Sequence, residues 1–295
     1  MNISLNPSYF CNFRCDFCYL TKTQLGDHQR IDLDRLDDML AQVQNIEYVD
    51  IYGGEYCALP KQYAKDLKAV VRRHYAGEIN IITNLSVLRE DLYDDDISVA
   101  VSYDFDARER HEEVFMNMLM LPKRFSILTL ASRKVIDADV DQMIAQLNVL
   151  TNLDSVEIKP YSANQANDQG ISNEEYEQFI IKWLESPVPK NFRFANKDYI
   201  ERSLNHNYNA YSDDHVYITP SGKFGVLEFD DNDKEFFLEM ETMREYEEWA
   251  QAEKGRLSNE CRQCKYLGRC LTEHYRFDSC SGFFNLLEYY ERMEG

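Results

Sequence analysis

Seven of the eight cysteines in this 295-residue chain fall into two groups whose spacing is suited to chemistry. Near the start, Cys11-Asn12-Phe13-Arg14-Cys15-Asp16-Phe17-Cys18-Tyr19 sets three thiols in the spacing C-x3-C-x2-C. Cysteine thiolates hold iron–sulfur cubanes, one per iron. Three cysteines therefore leave one iron without a protein ligand, open to a small molecule and to electron transfer. A zinc site or three buried thiols would use the same residues. Toward the end, Cys261-x2-Cys264-x5-Cys270-x9-Cys280 offers four thiolates, enough for every iron of a cubane or for a zinc knuckle. The eighth, Cys57, reads as a small buried hydrophobe or as a reactive thiol in a substrate cavity, and is the one candidate for a catalytic side chain.

These groups need a scaffold. Short β-prone runs over 2–6, 48–52, 79–83, 98–103, 125–131 and 155–159 alternate with apolar residues at helical spacing over 31–46, 61–75, 107–121, 137–150 and 173–185. A short helix is expected over 86–93. Such alternation predicts parallel strands joined by right-handed crossovers. Six units are two short of a closed eightfold barrel, so the expected fold is α/β, a partial (β/α)6 barrel with an open side. The polar residues gather at the C-terminal strand ends, where α/β barrels place their chemistry: the cysteine loop, Gly53-Gly54-Glu55, Asn84, Ser102 and Asp104. Pro187-Val188-Pro189 marks an expected boundary between a first domain, 1–186, and a second, 187–295, beyond which the alternation stops. There, 216–227 reads as a β-hairpin with a Gly turn and 240–253 as a helix. The long segment 162–215 is expected to close the open side of the barrel.

The net charge is 32 − 52 = −20, which repels phosphate backbones and disfavours duplex nucleic acid. The most basic stretch, 68–74, sits on a surface helix and reads as a solvated face. No apolar run approaches a membrane span, and the N-terminus lacks the charged and apolar regions of a signal peptide, so a cytoplasmic location is expected. In that reducing compartment grouped cysteines read as cluster or metal ligands rather than disulfides.

The N-terminal cysteine spacing, with Phe17 before the third cysteine and Tyr19 after it, resembles the radical S-adenosylmethionine (SAM) superfamily. Gly53-Gly54-Glu55 resembles that family's GGE motif, with Tyr56 in place of the common Pro. Thr83-Asn84 and Ser102-Tyr103-Asp104 resemble its third and fourth strand ends. The resemblance implies that Cys11, Cys15 and Cys18 hold a [4Fe–4S] cluster whose open iron binds SAM. It implies that Phe17 packs near the adenine and that Glu55 takes the SAM ammonium. Gly53, Gly54, Asn84, Ser102 and Asp104 complete the implied cofactor site.

The second cysteine group resembles the SPASM/twitch extension of the same enzymes, cut down. Two family cysteine positions are His274 and Leu227 here, while Cys261, Cys264, Cys270 and Cys280 match the ligands of one auxiliary [4Fe–4S] cluster. The implied architecture is a radical SAM partial barrel followed by a small SPASM/twitch-like domain. The implied activity is reductive cleavage of SAM to a 5′-deoxyadenosyl radical that abstracts a substrate hydrogen, for oxidation, cross-linking or epimerisation of a ribosomally made peptide. A small molecule or nucleotide is the alternative substrate. A non-enzymatic iron–sulfur electron carrier is the alternative of another class, which would not need Gly53-Gly54-Glu55. An electron donor such as flavodoxin or ferredoxin is an implied partner. The chain starts at its first strand, so no N-terminal peptide-recognition domain is expected.

Overall fold

A computed structural model describes residues 1–161, 164, 166–206, 215–227, 237–253, 258–271, 280 and 282–294. Six parallel strands run in chain order: β1 (Asn2–Leu5), β2 (Tyr48–Ile51), β3 (Ile79–Thr83), β4 (Ile97–Ser102), β5 (Phe125–Leu130) and β6 (Leu153–Lys159). Between them lie the helices α1 (Lys22–Gly26), α2 (Leu33–Leu40), α3 (Lys61–His74), α4 (His111–Met120), α5 (Arg133–Ile136) and α6 (Val140–Leu147). The fold is α/β with a parallel-rich sheet. The helix expected over 86–93 is a single 3-10 turn at Glu90–Tyr93.

One set of alternate strand residues is mostly apolar and buried. Ile3 pairs with Val49, Ile79 with Ile97 and Ile127 with Val156, and this side is buried. The opposite face carries Ser4, Asp50, Asn80, Ser98, Ser102, Glu157 and Lys159. Parallel strands covered on both faces read as continuous apolar runs. Here the opposite face mixes these polar residues with Ile82, Ala100, Leu128 and Leu130. The helices are fixed by their own chemistry. Asp32 caps α2 and Asp139 caps α6 through backbone N–H groups, and each satisfies a donor that the helix leaves open. The basic turn of α3 offers no anion surface: Lys68, Arg72 and Arg73 pair with Asp94, Asp96 and Asp37 at 2.7, 2.6 and 2.9 Å.

The alternation does not stop at Pro187-Val188-Pro189. After α7 (Asn173–Glu185), a two-residue strand β7 (Arg193–Phe194) pairs in parallel with β6, and α8 (Ala195–His206) follows. Tertiary contacts rather than periodicity hold this unit. Phe194 stacks on Trp183 at 5.2 Å. The Asn196 amide accepts from the Ile158 N–H and donates to the Ile158 carbonyl, 2.8 Å each. Two residues are too few to show a period.

The expected hairpin forms, as β8 (His215–Ile218) and β9 (Phe224–Leu227), turning on Gly222 at φ +74°. It does not stand apart. β8 pairs in parallel with β1, with Ile3 opposite Val216 and Leu5 opposite Ile218. β10 (Phe237–Met240) then adds antiparallel to β9, giving one ten-stranded sheet in the order β10-β9-β8-β1-β2-β3-β4-β5-β6-β7. Arg35 of α2 locks the turn by donating to the Gly222 carbonyl at 2.9 Å. The remaining helices are α9 (Met243–Glu253), α10 (Asn259–Gln263) and α11 (Phe284–Glu294). Glu177 of α7 holds the start of α11, accepting from the Asn285 N–H at 2.8 Å and the Leu286 N–H at 3.2 Å. Among the described residues no helix is long and apolar enough to cross a membrane.

Replacing Asn196 with Ala leaves a buried N–H and a buried C=O of Ile158 without this partner. The expected loss is about 1–3 kcal/mol of stability, read as a lower urea midpoint at unchanged slope.

Candidate active site

The cysteine loop leaves β1 at Pro7 and is pinned where it begins. The Gly54 N–H donates to the Ser8 carbonyl at 3.0 Å and the Glu55 N–H to the Phe10 carbonyl at 2.8 Å. A Cβ on Gly54 would lie 2.1 Å from the Phe10 carbonyl oxygen, and one on Gly53 2.6 Å from the Asn6 side-chain oxygen. Gly53 also sits at φ +134°. The two glycines therefore let the β2 end lie directly against the loop. The close approach they allow is protein to protein.

Glu55 is buried and joins three segments. One carboxylate oxygen accepts from the Cys57 N–H at 2.8 Å and the Thr83 hydroxyl at 2.5 Å, and the other from the Asn84 N–H at 2.7 Å. Burial pushes its pKa up, and these hydrogen bonds pull against that. Asn84, fixed in this way, donates its side-chain amide to Asn12 at 3.0 Å and to the Cys11 sulfur at 3.7 Å. Ser86 closes the network by accepting from Asn12 at 2.8 Å.

The three thiols lie close enough to raise one another. Burial pushes Cys11 up to about 12, with Glu55, Cys18 and Cys15 adding to it, and pushes Cys18 up to about 11. The Phe13 N–H points at the Cys11 sulfur at 3.4 Å. Sulfur donors with N–H groups directed at them fit an iron–sulfur cluster, which takes thiolates and releases their protons. Among the described residues no three metal-binding side chains converge on a single ion position. A cubane does not require this, because each thiolate takes its own iron.

Phe17 is buried, and the Arg108 guanidinium lies 5.5 Å from its ring centroid. Asp104 is buried too, paired with Arg108 at 2.5 Å and accepting from the Leu130 N–H at 2.5 Å. Ser102 ends β4 on the mixed face, opposite Leu128 of β5. Cys57 sits 3.5 Å from the Thr83 hydroxyl, and burial with the nearby Glu55 charge pushes its thiol up, the opposite of an activated nucleophile.

Cys261, Cys264, Cys270 and Cys280 line one cavity of about 370 Å³ with Tyr266, Leu267 and Phe284. The Tyr266 N–H points at the Cys264 sulfur at 3.4 Å. A Cβ on Gly282 would lie 3.1 Å from the Cys270 Cβ, a tight approach. The Cys280 carbonyl accepts from Asn173 of α7 at 3.5 Å. His274 lies outside the described residues.

Sequence reasoning passed over Asn12, Ser86, Arg108 and Asn167, whose amide donates to the Cys18 carbonyl at 2.6 Å. The four-residue spacing of Asp104 and Arg108 was a signal for one of them. The others are single polar residues in loops. Tyr9, Tyr19, Tyr52 and Tyr217 form an aromatic group beside the cysteine loop, with Tyr19 and Tyr52 at 6.2 Å and Tyr52 and Tyr217 at 6.4 Å.

Residues 5–107 match the model of the Radical SAM superfamily. The matched stretch contains Cys11, Cys15, Cys18, Gly53-Gly54-Glu55, Asn84, Ser102 and Asp104. A comparison with curated proteins found no match. Among solved structures, native anSMEcpe with bound AdoMet is similar at TM-score 0.72 and 15% identity, over 99% of this chain and 96% of that one. Streptococcus suis SuiB bound to S-adenosylmethionine is similar at TM-score 0.67 and 13% identity, over 93% and 72%. Similar structures also include SuiB bound to its precursor peptide SuiA, at TM-score 0.62 and 14% identity over 94% and 75%. At these identities the likeness is one of fold.

Two outcomes test the site. Gly54→Ala drives a Cβ into the Phe10 carbonyl and should cut bound iron by about four per chain, measured after anaerobic reconstitution. Glu55→Ala strands three buried donors and should destabilise even the cluster-free protein by at least about 2 kcal/mol, seen in thermal unfolding.

Proposed function

We propose that this protein cleaves SAM reductively at the Cys11/Cys15/Cys18 site and uses the radical to modify a peptide. The observation that carries this reading is the convergence of three thiols with the Glu55 and Asn84 strand ends, inside the segment that matches the superfamily. A [4Fe–4S] cluster held by Cys11, Cys15 and Cys18 would supply the single electron for reductive cleavage of SAM to methionine and a 5′-deoxyadenosyl radical able to take a substrate hydrogen. The chain's own residues do the rest. Cys11, Cys15 and Cys18 hold the cluster, and Asn84 orients the first of them. Phe17 covers the adenine side, while Gly53, Gly54, Glu55, Ser102 and Asp104 frame the remainder of the cofactor site.

What supports a curled, barrel-like sheet is the reach of charge across it. Burial and Asp50 raise the pKa of Tyr48 on β2, and Glu157 on β6 and Tyr199 on α8 add to this. In a flat sheet four strand spacings would separate β2 from β6 by about 19 Å. In this reading residues 1–186, extended by β7 and α8, form the partial barrel, and the remainder of 187–295 carries the SPASM/twitch-like part. Cys261, Cys264, Cys270 and Cys280 hold one fully ligated auxiliary [4Fe–4S] cluster, a support for the C-terminal part and an acceptor for the substrate's second electron. SuiB with its precursor peptide and anSMEcpe with a peptide favour a peptide substrate. A flavodoxin or ferredoxin in the cytoplasm supplies the electron.

With dithionite, reconstituted protein should release 5′-deoxyadenosine from SAM, and Cys15→Ala should abolish this. Cleavage at the native rate by that variant would sink the assignment. Wild-type protein should carry about eight irons. Changing Cys264 and Cys270 together to Ala should leave about four, with SAM cleavage retained and substrate turnover lost. Four irons and one zinc per chain would remove the auxiliary cluster and leave the SAM site standing.

A further inference from the structure

The segment from Asp104 to Arg110 folds back along the cysteine loop. Phe105 and Arg110 take φ +53° and +55°, left-handed values that residues with side chains adopt at a cost. Phe105 is buried, and its ring packs 5.2 Å from that of Tyr103, which helps hold the turn. The result is three contacts in succession. Arg108 lies over Phe17 at 5.5 Å, the Glu109 carboxylate accepts from the Arg14 N–H, and Arg110 lies over Phe13 at 5.4 Å. The segment and the loop run against each other in opposite directions.

This brings a cation to the thiols. The Arg108 side chain is 11% exposed and that of its partner Asp104 only 1%. Phe17, on which the Arg108 guanidinium lies, stands between Cys15 and Cys18 in the loop, and Asp104, the partner of Arg108, is itself held by the Leu130 N–H. Burial works to lower the Arg108 pKa, but the charge of Asp104 works against it and the shift is upward, so the guanidinium stays charged.

We infer that Arg108, backed by Asp104, sets the reduction potential of the cluster held by Cys11, Cys15 and Cys18. The inference rests on the radical SAM reading of that site. Cluster potentials follow net charge, hydrogen bonding and solvent exposure around the sulfurs. The step concerned adds one electron to the oxidised cluster. It makes and breaks no bond and moves no proton, so the reduced state differs by one negative charge. A buried cation stabilises that state and raises the potential, because Coulomb interactions are strong away from water. Asp104 limits the rise. Arg108 is a positioning and tuning residue in this role.

The test is an EPR-monitored redox titration with dithionite, following the reduced-cluster signal that changes when SAM is added. Arg108→Gln should lower the midpoint potential and Arg108→Lys should keep it near wild type. Asp104→Asn should raise it, and the double variant should fall between the two single ones. A residue that merely held the loop together would shift both single variants the same way. An unchanged midpoint in Arg108→Gln, or shifts of one sign in both, would overturn the inference. If Arg108→Gln does not load iron, Asp104→Asn and Arg108→Lys decide: an upward shift and no shift support it, and no shift in Asp104→Asn overturns it. If no wild-type signal responds to SAM, the reading of the site itself has failed, and the inference with it.

Discussion

Three hydrogen bonds to one buried carboxylate tie the candidate active site together. Glu55 sits at the end of β2, takes the hydroxyl of Thr83 and the N–H of Asn84 at the end of β3, and so presents the Asn84 amide to Cys11. A carboxylate with this many donors is strongly held, because each hydrogen bond to a charged group contributes about 1.5–3 kcal/mol and leaving one unmade costs as much. The same residue's N–H reaches back to the Phe10 carbonyl. Side chain and backbone of Glu55 therefore register β2, β3 and the cysteine loop against one another, and the glycines before it make that approach sterically possible.

Charge is distributed by position. The chain as a whole is acidic at −20, and much of its basic charge lies in surface pairs such as Arg72 with Asp96. Exposed pairs contribute little to stability. The Arg108–Asp104 pair differs because it is buried and its cation lies against Phe17 of the cysteine loop.

The sheet joins the two ends of the chain's fold. β8 lies on the free edge of β1, so the C-terminal hairpin is hydrogen-bonded to the strand that feeds the first cysteine loop. The segment from Asn167 into α7 reaches both cysteine groups. Its capping region is clamped by Arg133, which pairs with Glu175 at 2.7 Å and donates to the Gly170 carbonyl at 2.7 Å. From there Asn167 touches the Cys18 carbonyl, Asn173 the Cys280 carbonyl and Glu177 the start of α11. The mixed face of the strands lies in the same sheet, opposite the apolar face that the helices cover.

The amino-acid sequence by itself determined the parts that rest on local spacing. Both cysteine groups, the Gly-Gly-Glu stretch, the six strands and α7 from 173 to 185 were legible because period, turn residues and thiol spacing are short-range properties. Tertiary structure alone decided what depends on distant partners. β7 and α8 exist because Phe194 finds Trp183 and Asn196 finds Ile158, contacts that no period announces. The hairpin joined the main sheet because β1 had an unpaired edge to offer. Arg108 became part of the site because two left-handed residues turned its segment back onto the cysteine loop. Its spacing from Asp104 was visible in the chain. Its contact with Phe17 was not, since that depends on how the fold packs the two segments together.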